Sequence, residues 1–288
     1  MKLLTINTHS LIEEQYEKKL HQFAEMVLLE EPDIIAMQEV NQSINESVLA
    51  DFLLPGYVTC KKMDVMIRQD NHAARLACVL REHGCFFYWT WLPLKIGYGK
   101  YDEGLAIFSR RPIVETEQFL ISSCNDYGNW KTRKILGAKV EGLDDWFYTV
   151  HMGWWDDAEE PFLRQWETFQ GFLKEKQKDS DQIWMLGDFN SPAGVCGEGY
   201  DCVSGYGWKD TYQLAKEKDD GITVGKVIDG WRDSFSEADK GMRIDFVWCL
   251  KEVPVCSSMV VCNGEHYPVV SDHYGVMVVT EEQEGAEE

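Results

Sequence analysis

The chain has 288 residues, 49 acidic against 28 basic side chains, and a formal net charge of −21. That length can bury a large core. The charge disfavours a general nucleic-acid binder, which needs a basic footprint to neutralise phosphates. No apolar run approaches the roughly 20 residues that span a bilayer. The first six residues pass at once into the polar Asn7-Thr8-His9-Ser10, so no signal peptide is visible. Nine cysteines, without CxxC pairs or zinc-like spacing, imply a reduced, cytoplasmic chain.

In chain order, residues 3–6 predict a strand ending at Asn7. Tyr16, Leu20, Phe23, Ala24, Val27 and Leu28 recur at helical spacing over 13–31, and Pro32 ends that helix before a strand over 33–40. A second helix is expected over 71–84, closed by Gly84. Strand patterns follow at 85–91, 104–109, 117–122, 134–140 and 146–151. Residues 159–178 are helical again, with Phe162, Trp166, Phe169 and Phe172 on one side. After a strand at 183–186 come a Gly-rich loop over 194–207 and a short helix over 208–218. Strands near Ile244, at 253–261 and at 274–280 close the fold. No linker or repeat interrupts this order, so one domain over 1–280 is expected, with 281–288 an acidic, solvated tail. Two packed sheets with helices outside fit the count.

The strand ends carry the chemistry. Ile183-Trp184-Met185-Leu186 runs into Gly187-Asp188-Phe189-Asn190. Residues 34–37 end at Gln38-Glu39, and Asp245 sits inside the apolar run Ile244-Asp245-Phe246-Val247-Trp248. Ser271-Asp272-His273 precedes the last strand. Asp and Asn often end strands as turn formers. Counting Asn7 at the end of the first strand, five acid, amide or histidine sets at strand ends exceed that explanation and point to an enzyme.

Together with Asn7, Glu103-Gly104-Leu105-Ala106-Ile107-Phe108-Ser109-Arg110 and Thr149-Val150-His151, these motifs, in this order, resemble the endonuclease/exonuclease/phosphatase superfamily. That group includes pancreatic deoxyribonuclease, abasic-site endonucleases, neutral sphingomyelinases and inositol-phosphate 5-phosphatases. The resemblance runs from residue 2 to about residue 279. It implies a four-layer α/β sandwich of two mixed β-sheets flanked by helices. It also implies that Glu39, with Asn7 beside it and Asp272 nearby, holds Mg²⁺, for which Mn²⁺ can substitute. Asp188 would orient or deprotonate the attacking water, and Asn190 would hold that water or a phosphate oxygen. His273 would pair with Asp245 and His151 with Glu103. Tyr101 and Arg133 would contact the phosphate.

The residue types suit this chemistry on their own terms. Phosphate-ester hydrolysis needs charge neutralisation, an aligned water and hydrogen-bond donors to the phosphoryl oxygens. Oxygen ligands favour Mg²⁺. Each residue also has a plainer reading. Asn7 suits a helix cap, Glu39 a solvated rim, His151 a core histidine bonded to backbone, and Arg133 a surface ion pair. His9 and His266 read as turn or surface residues.

Substrate is less legible. The acidic balance makes nucleic acid an unfavoured partner, although a cleft ringed by Lys62, Lys95, Lys100 and Lys131 would favour a nuclease. The missing membrane anchor weakens a sphingomyelinase-like phosphodiesterase, and a non-catalytic binding module would have lost Glu39, Asp188 or His273. Aromatics gather beside the motifs: Tyr98, Trp130, Trp154 and Trp155. Trp154 or Trp155 is the expected platform for a sugar ring. The opening residues and compact length are similar to a bacterial cytosolic branch of the superfamily that includes a maltose 6′-phosphate phosphatase. That resemblance implies a small phosphorylated sugar as substrate and leaves the oligomeric state open.

Overall fold

The computed structural model describes residues 1–61, 63–179, 182–226, 228, 231 and 241–281. Its strands are β1 (Lys2–Asn7), β2 (Ile34–Ser43), β3 (Tyr88–Gly97), β4 (Tyr101–Ser109), β5 (Ile113–Leu120), β6 (Lys134–Val140) and β7 (Trp146–His151). They continue as β8 (Ile183–Asp188), β9 (Lys209–Asp210), β10 (Ala215–Lys218), β11 (Asp245–Cys249), β12 (Val255–Val261) and β13 (Gly275–Thr280). The helices are α1 (Tyr16–Glu30), α2 (His72–Glu82), α3 (Phe162–Asp179), α4 (Gly199–Gly205) and α5 (Thr211–Leu214).

The strands form two mixed sheets, ordered β10-β12-β13-β1-β2-β4-β3 and β5-β6-β7-β8-β11-β9. Leu3, Ile34, Leu105, Phe147, Leu186 and Val247 fill the space between them. The apolar stripes of α1 and α2, with Phe23, Val27, Leu76 and Leu80, cover the outer face of the first sheet against Trp89 and Phe108. Phe162, Trp166 and Phe169 of α3 cover the second against Tyr148, Met185 and Trp248. The result is a four-layer α/β sandwich.

Two expectations need correction. Residues 208–218 form no single helix: Lys209–Asp210 pairs with β11, one helical turn follows, and Ala215–Lys218 joins β12. Open sheet edges there override the helical propensity of Lys and Glu. The Gly-rich stretch 194–207 contains α4, because Val203 is buried in the outer core and Tyr200 packs on Phe246 and Trp248. Of the acidic end, residues 282–288 lie outside the described residues.

Strand direction gathers the chemistry at one edge. β1 and β2 run parallel, as do β7 and β8, and place Asn7, Glu39, His151 and Asp188 towards their C-terminal ends. β4, β11 and β13 are antiparallel to these and bring the residues at their starts, Glu103, Asp245 and His273, to the same edge. Gln38 ties the sheets together there, donating to Thr149 Oγ1 at 2.8 Å and Thr5 Oγ1 at 3.2 Å.

Gly187 makes that closure possible. At φ +149°, a Cβ would collide with the Val150 carbonyl oxygen and lie 3.0 Å from the Gln38 amide nitrogen. Gly171, in α3, has open space where its Cβ would sit. Gly187→Ala should therefore lower stability by more than about 2 kcal/mol. Gly171→Ala should raise it by about 0.5–1 kcal/mol. Urea unfolding of both variants checks this pair, and equal effects would contradict it.

Candidate active site

Two bulges aim the acids. Met37 faces Ala106 and Val40 faces Gly104, so Gln38 and Glu39 share one opposing residue. Glu39 adopts φ 51°, a left-handed conformation that costs a non-glycine residue about 1–3 kcal/mol. Its carboxylate lines the cleft while Gln38 stays between the sheets. On the other flank, the register slips between Pro93 and Lys95, placing Lys95 opposite Glu103. β3 is an edge strand, where Pro93 removes no needed ladder bond. Gly104 lies between the bulges because a Cβ would sit 2.5 Å from Trp91 Nε1, which donates to Val40 O at 2.9 Å.

Asp188 is the hub of the second group. Its Oδ1 accepts from the Asn190 backbone N–H at 2.8 Å. Its Oδ2 lies 3.2 Å from Asn7 Nδ2, 3.6 Å from His151 Nε2 and 3.8 Å from His273 Nε2. Asp245 holds His273 Nδ1 at 3.0 Å. Burial opposes charge on His273, but Asp245 and Asp188 outweigh it and raise its pKa well above the ordinary value. Burial, reinforced by Arg133, Lys95 and His273, lowers that of His151 well below it. One imidazole is therefore charged and the other neutral. Burial, reinforced by Asp245 and opposed by His273, pushes Asp188 up to about 7.

The cleft measures ≈ 350 Å³. Glu39, Glu103, Asp188 and Asp272 line its acidic side, with Lys95, Arg133, His9, His151 and His273 facing them. Burial, then Glu103 and Asp272, raise the Glu39 pKa. Carboxylates crowded in this way, with no cysteine among the lining residues, fit a hard divalent cation. Glu39 and Asp272 would hold it. Two groups bring ligand atoms within 4.8 Å of one another: His9, Glu13 and Asp272, and Asp188, Asp245 and His273.

Several sequence expectations change. Asn7 turns its Nδ2 to Glu39 Oε1 at 2.9 Å and to Asp188, while its Oδ1 accepts from His9 N–H. It lies between both acids, within hydrogen-bond reach of each. Glu103 meets Lys95 at 3.1 Å instead of His151, whose Nδ1 has no hydrogen-bond partner among the described residues. Tyr101 lies away from the cleft, its hydroxyl donating to Leu11 O at 3.3 Å. Trp155 packs against Phe162, whereas Trp154 lines the cleft edge-to-face with Trp130 at 5.6 Å. Arg133 lines it too, and Asn190 is anchored by Met152 O and by Trp231 Nε1.

Three contributors were not recognised in the sequence. His9 lies in the cleft with Nδ1 2.7 Å from Glu13 Oε1, and Lys19 pairs with the same carboxylate. Burial disfavours its charge, yet Glu13 and Asp272 raise its pKa to about 9. The i,i+4 spacing of His9 and Glu13 was the available signal. Ile228 and Trp231 carried none, and Lys95 was weighed only as one of four lysines that would ring a nuclease cleft.

The endonuclease/exonuclease/phosphatase family model matches residues 4–273. No curated protein matches the chain significantly. Among solved structures, an endonuclease/exonuclease/phosphatase family protein from Leptotrichia buccalis C-1013-b is 31% identical, with TM-score 0.84 over 98% of this chain and 100% of that one. A mannosyl-6-phosphatase from Bacteroides thetaiotaomicron VPI-5482 is 18% identical, with TM-score 0.65 over 98% and 100%. A 3′-5′ exonuclease from Neisseria meningitidis is 17% identical, with TM-score 0.64 over the same shares. At these lower identities the likeness is one of fold. The chain belongs to the endonuclease/exonuclease/phosphatase family, whose members are hydrolytic phosphoesterases, generally dependent on a divalent metal.

Proposed function

We propose that this phosphoesterase is a Mg²⁺-dependent, cytoplasmic phosphatase of a small phosphorylated sugar. The observation that carries the reading is the cleft's division into a buried ionic floor and an aromatic wall. Lys95, Arg133, His151 and His273 form the floor beside the acids. Trp130, Trp154 and Tyr98 form the wall, with Trp130 and Tyr98 each about half exposed. A floor of this kind suits a phosphate, and flat apolar faces suit a sugar ring. The mannosyl-6-phosphatase of the same fold supports the assignment as an analogy.

Features of the surface weigh against nucleic acid. Lys131 pairs with Asp157 and Glu159, and Lys100 lies over the Tyr101 ring. Of the four lysines whose ring would favour a nuclease, Lys95 alone lines the cleft among the described residues, and Lys62 lies outside them. All nine cysteines are free thiols, as a reducing compartment requires. No helix among the described residues is long and apolar enough to cross a membrane.

The residues divide the work as follows. A divalent cation held by Glu39 and Asp272 would supply Lewis-acid neutralisation of phosphoryl charge. Asp188, as a carboxylate, orients and deprotonates the attacking water. His273 donates from its imidazolium to a phosphoryl oxygen while Asp245 holds its other nitrogen. Neutral His151, whose Nε2 lies near the same Asp188 oxygen, contacts the same group. Arg133 binds phosphate, and the indole of Trp154 meets the sugar.

EDTA should abolish phosphate release and Mg²⁺ or Mn²⁺ should restore it; full activity without metal would contradict the reading. A screen over sugar phosphates, nucleotides, inositol phosphates and plasmid DNA should single out a sugar phosphate. Plasmid cleavage without phosphate release from any sugar phosphate would favour a nuclease.

Asp188→Ala and His273→Ala should each lower kcat by at least about 10²-fold. Activity should fall as pH drops through about 7, where Asp188 takes up a proton. The alkaline limb should lie well above neutrality, because His273 is raised. Asp245→Asn removes a carboxylate that raises His273, so it should move that limb to lower pH. An unmoved limb would break the dyad assignment.

Trp154→Ala should raise KM for a disaccharide phosphate far more than for p-nitrophenyl phosphate, since the lost contact is to the sugar. Equal effects would make Trp154 structural.

A further inference from the structure

Lys95 and Arg133 are held side by side although both are cations. One carbonyl oxygen, that of Trp130, accepts from Lys95 Nζ at 2.9 Å and from Arg133 NH1 at 2.7 Å. Lys95 is 5% exposed and Arg133 3% exposed, and both line the cleft. Like charges brought together out of water are costly unless opposite charge meets them. Among the described residues, Glu103 is the single carboxylate paired directly with either, through Lys95 at 3.1 Å. Among the described residues, Lys95 Nζ makes one hydrogen bond, to Trp130 O, beside its 3.1 Å ion pair with Glu103, and Arg133 Nε, buried, has no hydrogen-bond partner. The register shift between Pro93 and Lys95 places Lys95 opposite Glu103. Such a pair is built to receive an anion.

The charge of that anion follows from the count. A phosphomonoester carries close to two negative charges at neutral pH, since its second pKa is about 6, whereas a diester carries one. Two buried cations held by one carbonyl and sharing one carboxylate suit the doubly charged group. We propose that Lys95 is a substrate-binding residue that, with Arg133, selects a dianionic terminal phosphoryl group over a monoanionic diester. This rests on the phosphatase reading and names the residue that makes it monoester-selective. It also explains why Trp130 belongs to both halves of the cleft: its carbonyl fixes the clamp while its ring, edge-to-face with Trp154, forms the wall.

The test is calorimetric binding of inorganic phosphate and of dimethyl phosphate to the full-length protein with Mg²⁺ present. The wild type should bind phosphate at least about tenfold more tightly than the diester. Lys95→Met should remove most of that preference by weakening phosphate alone. Because Lys95→Met leaves Glu103 unpaired, Lys95→Met/Glu103→Gln is the second variant. If Lys95 only neutralises Glu103, the double variant regains the preference and the proposal falls. If Lys95 binds the dianion, the double variant stays unselective while circular dichroism shows the native fold. Wild-type protein that binds both anions equally, or neither, also overturns it. Failure of the phosphatase reading shows separately, as absent phosphate release from every monoester despite selective phosphate binding.

Discussion

The convergence of buried carboxylates where the two sheets meet is the constraint on which the rest of the site depends. Glu39, Glu103, Asp188, Asp245 and Asp272 come from five different strands or strand ends, and no local sequence preference would place them together. Burial and mutual repulsion raise Glu39, and burial with Asp245 raises Asp188. Such an arrangement persists only where positive charge offsets it. The protein supplies part of that charge itself, through His9, Lys95, Arg133 and His273. The remainder defines what the site must take up.

The two imidazoles show how position sets chemistry. His151 and His273 both turn Nε2 towards Asp188 at similar distances. Asp245 stands behind His273, whereas among the described residues His151 Nδ1 has no hydrogen-bond partner, and Arg133 and Lys95 disfavour its charge. One ring is thus a cation and the other neutral, a division of labour within one cleft. Glu103, taken up by Lys95, is the residue whose redirection leaves His151 without a carboxylate. The same ion pair places an additional cation where the phosphate is proposed to bind.

Much of the architecture was legible because strand and helix periodicities are local. The strands at 134–140 and 146–151 and the helix at 71–84 follow from alternation or 3.6-residue spacing alone. Asp188 and Asp245 were legible for a different reason, since an acid in or at the end of an apolar strand needs a partner. What stayed hidden depends on register. A one-residue bulge at Gln38–Glu39 or Pro93–Lys95 leaves no compositional trace, yet it decides which side chain enters the cleft. Trp154 and Trp155 are adjacent in sequence, and packing against Phe162 rather than composition assigns the second to the core. The 208–218 segment reads as a helix until the edges of two sheets compete for it.

The claim that a cation completes this acid cluster is tested most directly by the stability of Glu39→Gln. Because the Glu39 pKa is raised in the folded protein, its ionised form opposes folding above the ordinary carboxylate range, and the amide removes that cost. Thermal unfolding at pH 8 should find Glu39→Gln more stable than wild type in EDTA. Mg²⁺ should raise the wild-type midpoint and leave the variant nearly unmoved. A wild type that is the more stable protein in EDTA, and whose midpoint Mg²⁺ does not shift, would contradict the account.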